Sequence, residues 1–310
     1  MTDPAQRGDI PTSENILDAL RSAGWLLEQD TQTALTQAGF HVYPGSAFPD
    51  PDDKSVSREI DVVAYRELVR DDSLRVSVGV RIFAECKQST MPYVLVGRAP
   101  NERQRATRRR EHSVRFPNVE VGRSSAPEGG TRIHSVSSER YLGLQDDPAA
   151  PWADSFVATQ MTRLDRKNSS WNATNEGIFT ALVYPLAKAV TYYDKIAQGR
   201  SQGYVDHNPQ RDWASIEYRF PVVVTSATLY AVNVEHEPRE AVVVPWATMA
   251  RHIKTTNVDG IFHIDVTNSD SFERYLQERV GAFAESLQQI PAHRYVTRED
   301  LKWGGENPGY

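Results

Sequence analysis

The chain of 310 residues carries one cysteine, Cys86. A single cysteine excludes an internal disulfide and any cysteine-rich zinc site. The eight histidines are scattered and show no close metal-ligand spacing. No apolar run approaches the ~18 residues that a membrane span needs. The polar amino terminus, MTDPAQRGDIPTSEN, has no signal-peptide core, so a cytoplasmic, non-membrane protein is expected. There is no internal repeat and no evident separate target-recognition domain. The length and a mean hydropathy of -0.53 allow one large domain or two small ones, and the chain reads as one domain over 1–310.

The formal net charge is -6, which is not what a simple nucleic-acid-binding domain shows. Its distribution is uneven. Residues 91–133 hold nine Arg and four acidic residues, a local excess of +5 that leaves -11 on the remainder. The arginines cluster in RAPNERQRATRRREHSVR, where Arg105, Arg108, Arg109 and Arg110 are candidates for phosphate-backbone contact. A solvated loop would show the same composition, and the stretch to residue 130 is also rich in Ser, Pro and Gly.

Two helices are expected near the amino terminus. Thr12, Ser13 and Glu14 supply capping chemistry, Gly24 divides the segment, and Gly39 closes it. Leu27, Ala34, Leu35 and Ala38 form a helical stripe. HVYP from His41 reads as a short strand. Residues 174–198 read as a helix with Pro185 inside it, which predicts a kink. Strands are expected at 220–225, at 228–235 and over AVVVPW, then a last strand in IFHIDVT and a last helix in SFERYLQERVGAFAESL. Between residues 91 and 170 only a short strand near Arg132–Val136 is expected.

The segment that carries the chemistry is REIDVVAYRELVRDDSLRVSVGVRIFAECKQST, residues 58–90. Val, Ile, Phe and Tyr dominate two runs separated by RDDS, the pattern of a hairpin. Successive strand residues point to opposite faces. Val76, Val78, Val80, Ile82, Ala84 and Cys86 therefore share one apolar face. Glu85 and Lys87 share the other, with Ser77, Arg81 and Phe83. A turn centred on Ser73 sets Asp61 opposite Glu85. Facing carboxylates repel unless something sits between them, and a hard divalent cation is the natural candidate. Solvated charges on an exposed strand would carry the same letters. Ile60, Val62, Val63 and Ala64, however, suggest cover on both sides of the strand, where a buried charge must be paired or metal-bound.

EIDVVA around Asp61 and FAECKQS around Glu85 and Lys87 resemble the core of the PD-(D/E)XK, or restriction-endonuclease-like, nuclease superfamily, particularly its Mrr-like and Holliday-resolvase-like branches. The Pro of the family's name is absent, because Ile60 precedes Asp61. The resemblance implies an α/β fold with an αβββαβ core over about 14–90 and 171–226. It also implies a long insertion over about 91–170 and a C-terminal α/β extension over 227–310. It further implies that Asp61, Glu85 and the main-chain carbonyl of Cys86 hold Mg²⁺, with Mn²⁺ able to substitute. Lys87 would position or help deprotonate the attacking water.

Glu28 is a further candidate ligand, since some family members supply a carboxylate from the start of the first helix; an ordinary exposed glutamate is the competing reading. Glu59 is a weaker candidate on the same strand face as Asp61. Gln88 is a candidate for support of the site or contact with DNA. Gln160 bears a loose likeness to a DNA-contacting helix glutamine of some relatives. Cys86 is expected as a small core residue and not a nucleophile. The resemblance implies a Mg²⁺-dependent DNA endonuclease in restriction or antiphage defence, as a homodimer or beside a defence partner. The alternative is a non-catalytic nucleic-acid-binding or assembly subunit of the same fold.

Overall fold

The Thr12 hydroxyl accepts from the Asn15 N–H, and the Asn15 side-chain oxygen accepts from the Thr12 N–H. This reciprocal cap satisfies donors that a helix start leaves without partners, and α1 (Ser13–Ala23) follows from it. Gly24 then takes φ +88°, a left-handed conformation open to glycine, and donates to the Arg21 carbonyl. It ends α1 and starts α2 (Trp25–Gln37), as the sequence predicts. Leu27 and Leu35 of the expected stripe are buried, and Ala34 and Ala38 pack against the same core.

In this computed structural model the described residues are 10–72, 76–106, 112–114, 118–125, 129–137, 144, 147–205 and 214–289. They form an α/β fold with a large mixed sheet flanked by helices. The strand expected from HVYP is longer, β1 (His41–Pro49), and pairs antiparallel with β2 (Ser57–Asp71). β2 pairs antiparallel with β3 (Val76–Lys87).

The chain reaches β10 (Ala214–Thr225) through a long helix, α4 (Tyr184–Val205). β10 runs parallel to β3 from Ala214 opposite Val76 to Thr225 opposite Lys87. Strand β9 (Ser170–Thr174) ends at the first residue of the region read as helix. The predicted disturbance at Pro185 is present as a π-helical turn, Phe179–Val183, in which the Tyr184 N–H donates to the Phe179 carbonyl just before the residue that has no N–H to give.

The expected insertion is largely sheet. β4 (Tyr93–Arg98) and β8 (Val157–Lys167) lie within the main sheet, while β6 (Asn118–Ser125) and β7 (Thr131–Ser137) pair as a separate two-stranded sheet. The short strand expected near Arg132 is β7. A short helix, α3 (Glu102–Ala106), and a short strand, β5 (His112–Val114), lie between them. Gln160 is on strand β8, exposed, and not on a helix as its loose likeness implied.

The C-terminal part adds β11 (Leu229–Asn233), β12 (Ala241–Val243), β13 (Trp246–Lys254) and β14 (Asp259–Asn268). Helix α5 (Phe272–Tyr275) runs through a π segment, Leu276–Gly281, into α6 (Ala282–Gln288). The sheet order is β1-β2-β3-β10-β14-β13-β8-β4-β11-β12. β13 has no counterpart in the sequence reading, because Thr248, Arg251, His252 and Lys254 interrupt its apolar pattern. Thr248 is nevertheless buried, its hydroxyl within hydrogen-bond distance of Asp154 at 2.8 Å and Asp265 at 2.6 Å.

Both faces of the central strands are covered, as the apolar residues beside Asp61 and Glu85 predict. Val78, Val80, Ile82 and Ala84 of β3 pack with α2 and with Phe272, Tyr275 and Phe283. Phe83 and Val63 join the opposite core with Leu182, Leu186 and Val190.

Buried ion pairs tie loops to this frame. Asp50 accepts from Lys188 of α4 at 2.6 Å and from Arg58 at 2.7 Å, and Asp52 beside it accepts from Thr255. Burial pushes the Asp50 carboxyl up, but the hydrogen bonds from Lys188 and Arg58 outweigh it and hold its pKa well below the ordinary range. A depressed carboxyl pKa contributes stability that is present above about pH 4 and is lost as the pH falls below that. Lys188→Met should therefore destabilise the protein by roughly 3–5 kcal/mol at pH 7, the loss seen when one partner of a buried pair is removed. Urea unfolding at pH 7 and at about pH 2.5, below the ordinary carboxyl value, checks this, and the gap between wild type and variant should narrow at the lower pH.

Candidate functional site

Val62 pairs with Ala84 and Val63 with Phe83, so one further step along both strands sets Asp61 opposite Glu85, in the register the sequence predicts. Beyond Glu67 a bulge shifts the register by one residue, to Val69 opposite Val78, and this irregularity lies on the side away from the acids. Asp61 is fixed further by its own Oδ2, which accepts from the Cys86 N–H at 2.7 Å. The two carboxyl groups stand close enough for each to shift the other's pKa. Burial, then the adjacent Asp61 charge, pushes Glu85 up to about 9. Burial and the charge of Glu59 raise Asp61 as well. The Lys87 ammonium pulls both the other way without reversing either.

Glu28, the fourth residue of α2, joins from the helix. Its carboxyl is raised by burial and then by the charges of Asp61 and Glu59. Glu59 reaches across to β1, where a Cβ on Gly45 would stand 2.8 Å from Glu59 Oε1. Lys87 is exposed at the end of β3. Its main-chain carbonyl accepts from Thr225 Oγ1 at 2.7 Å and from the Ser226 N–H at 3.4 Å, which ties the end of β3 to the end of β10. Gln88 is half-buried below the α1–α2 junction, its Cβ 3.7 Å from where a Cβ on Gly24 would lie.

The Cys86 side chain turns to the α2 side, with Sγ 3.5 Å from Thr31 Oγ1. Burial pushes its thiol up to about 12, so it is a core residue and not a thiolate nucleophile. Its N–H points at β2, and in an extended strand the carbonyl of the same residue points to the same side. The Cys86 carbonyl is thus directed towards the acids.

This donor set fits one hard divalent cation. Two half-buried carboxyls face each other, and burial raises the pKa of both. A strand carbonyl is aimed the same way. Among the described residues no three His, Cys, Asp or Glu side chains stand together closely enough to hold a metal ion. The close set is a pair, with Glu28 and Glu59 acting through space. Mg²⁺ suits such a site, since it uses one or two carboxylates and otherwise keeps its waters.

Of the arginine cluster, Arg105 lies on α3, exposed, with Nε donating to the Pro100 carbonyl. Arg108, Arg109 and Arg110 lie outside the described residues. The sequence reading missed Thr225 and Ser226, which hold the backbone after Glu85 in place; their only sequence signal is the polar Thr-Ser that ends a Val run. It also gave no role to Arg81, a charged residue inside a Val-rich strand. Arg81 is largely buried and paired with Glu217 at 2.8 Å.

A raised folded-state pKa for Glu85 has a definite sign. The stability tied to its protonated form is complete below its ordinary value of 4.5 and is lost as the pH rises through about 9. In metal-free buffer, Glu85→Gln should raise Tm at pH 8 by on the order of 2–4 °C and flatten the decline between pH 5 and 9. Thermal unfolding at several pH values measures both.

No protein-family model, no curated protein and no solved structure matches this chain.

Proposed function

We propose that the chain is a Mg²⁺-dependent nuclease of the PD-(D/E)XK type that hydrolyses phosphodiester bonds in DNA. The observation that carries this reading is the pairing of Asp61 with Glu85 on adjacent strands, with Lys87 emerging from the same strand face at an open strand end. The order α2, β1, β2, β3, α4, β10, with β10 parallel to β3, supports a restriction-endonuclease-like αβββαβ core. A role in restriction or antiphage defence belongs to the same reading, as does a homodimer, which would let one site per chain cut both strands.

Asp61, Glu85 and the Cys86 carbonyl would hold the ion, with Glu28 next to them. A divalent cation bound there acidifies water, orients the phosphate and offsets charge in the transition state. The chain's own residues do the rest. Burial around the carboxyl pair limits access of water and strengthens the local electrostatics. The Asp61 to Cys86 hydrogen bond fixes one carboxylate oxygen and leaves the other to bind. Lys87, exposed and near both acids, can orient the attacking water or meet the non-bridging oxygens of the phosphate. Burial and the Asp61 charge favour the protonated form of Glu85, so a cation binding there would displace a proton and its affinity would rise with pH.

Incubation of duplex, single-stranded and branched DNA with Mg²⁺, Mn²⁺ or EDTA tests the activity. Asp61→Ala and Glu85→Ala should each abolish cleavage while the far-ultraviolet circular dichroism stays native. Mg²⁺ should raise Tm in the wild type by linkage and not in Asp61→Ala. Cleavage that persists in EDTA or in both variants would sink the metal reading. Lys87→Ala should lower turnover by roughly 10²–10⁴-fold with DNA affinity near normal, the range for loss of a proton-transfer group. A collapse of affinity would make Lys87 an anchor instead.

Replacing Arg105, Arg108, Arg109 and Arg110 by Ala should weaken binding on all sequences alike. It should also reduce the slope of log affinity against log salt by about 0.7–0.9 for each phosphate that an arginine no longer neutralises. An unchanged slope would place the DNA path elsewhere.

A further inference from the structure

A pocket of about 360 Å³ opens on the same strand pair as the two acids, lined by Tyr43, Ser46, Ala47, Tyr65, Arg81 and Tyr193. Tyr65 and Arg81 are direct partners across β2 and β3. They stand four residues from Asp61 and Glu85 respectively, on the same face by strand alternation, which is ~13 Å along the strands. On β1, Ala47 of the wall pairs with Glu59, two residues before Asp61.

The Arg81 guanidinium lies between two rings, 4.9 Å from the Tyr65 centroid and 5.1 Å from that of Tyr193. Its Nη2 donates to Glu217 Oε2 at 2.8 Å. Its Nε is buried and, among the described residues, has no hydrogen-bond partner. An orphaned buried donor is costly unless a ligand satisfies it. Gly79 makes room for this arrangement, because a Cβ there would stand 2.5 Å from the Tyr65 hydroxyl.

Charge narrows the choice of ligand. Arg81 and Arg219 both pair with Glu217, and Arg219 also pairs with Asp194 at 3.3 Å. Two cations meet two anions, so the wall carries no net excess to draw a phosphate. What remains, on residues that line the pocket, is the unpaired N–H donor of Arg81 and the half-exposed aromatic ring of Tyr43. That combination suits a flat, neutral group with an acceptor at its edge.

We infer that this pocket takes one unstacked nucleobase of the strand being cut, with an acceptor on its edge meeting Arg81 Nε and its face stacking on Tyr43. The inference rests on the nuclease reading and deepens it. A base inside an intact duplex cannot enter the pocket, so the preferred substrate is single-stranded or frayed DNA.

The test uses the full chain in EDTA, so that binding is read without cleavage. The probes are a short labelled single strand, the same strand with abasic sites, and its duplex. Wild type should bind the normal strand roughly 10-fold more tightly than the abasic one, as expected for loss of base–aromatic stacking. Tyr43→Ala should erase most of that preference and change duplex affinity by less than about twofold, since phosphate contacts are untouched. Tyr43→Phe should keep it, because the ring and not the hydroxyl stacks. Tyr43 is 52% exposed, so both variants should fold.

Equal wild-type affinity for normal and abasic strands would overturn the inference. So would a Tyr43→Ala variant that loses single-strand and duplex binding alike. Abasic discrimination in a protein that never cleaves DNA would overturn the nuclease reading and leave the pocket standing. Cleavage without discrimination would overturn the pocket alone.

Discussion

Two carboxyl groups facing each other across a β-ladder are the constraint on which the site depends. Asp61 and Glu85 are brought together by a strand register that the surrounding apolar side chains enforce. A slip of one residue would turn Val62 and Ala84 out of the core, so the sheet holds the acids together at the expense of their repulsion. Burial, and then the charge of Asp61, push the Glu85 carboxyl up to about 9.

The same frame explains why the site is at the end of β3. β10 lies parallel to β3 along its whole length, and Thr225 and Ser226 bind the Lys87 carbonyl where both strands finish. In open α/β sheets, ligands sit outside the carboxyl ends of parallel strands, where loops diverge. Glu85, Cys86 and Lys87 occupy that end. α2 closes one side with Glu28 in its first turn, and α4 covers the opposite face through Leu186 and Val190.

Three buried ionic clusters hold the periphery to this centre. Lys188 and Asp50 anchor the loop before β2 to α4. Arg219, Glu217 and Arg81 bridge β10 and β3. Arg279 joins Asp154 and Asp265, which fastens the segment before β8 to the C-terminal helix. Buried pairs of this kind add little net stability over apolar replacements, but each is strongly damaging when halved. They specify where long connections dock, which matters in a chain whose sheet is assembled from strands distant in sequence.

The sequence alone determined whatever depends on local periodicity and short-range pairing. Thr12, Gly24 and the Leu27–Leu35 stripe were legible as two helices, because caps and helical spacing act within a few residues. The hairpin register was legible because alternation in β2 and β3 is strict near the acids, even though the bulge at Leu68 was not. Only the tertiary structure decided the rest. β4 pairs with β8 and β11, and β8 with β13, all far apart in the chain, and nothing local in these segments announces such partners. The raised carboxyl of Glu85, the orphaned Nε of Arg81 and the ring of Tyr193 beside it depend on burial and on α4 crossing the sheet. Desolvation and long-range packing are properties of a folded surface, and no window of sequence contains them.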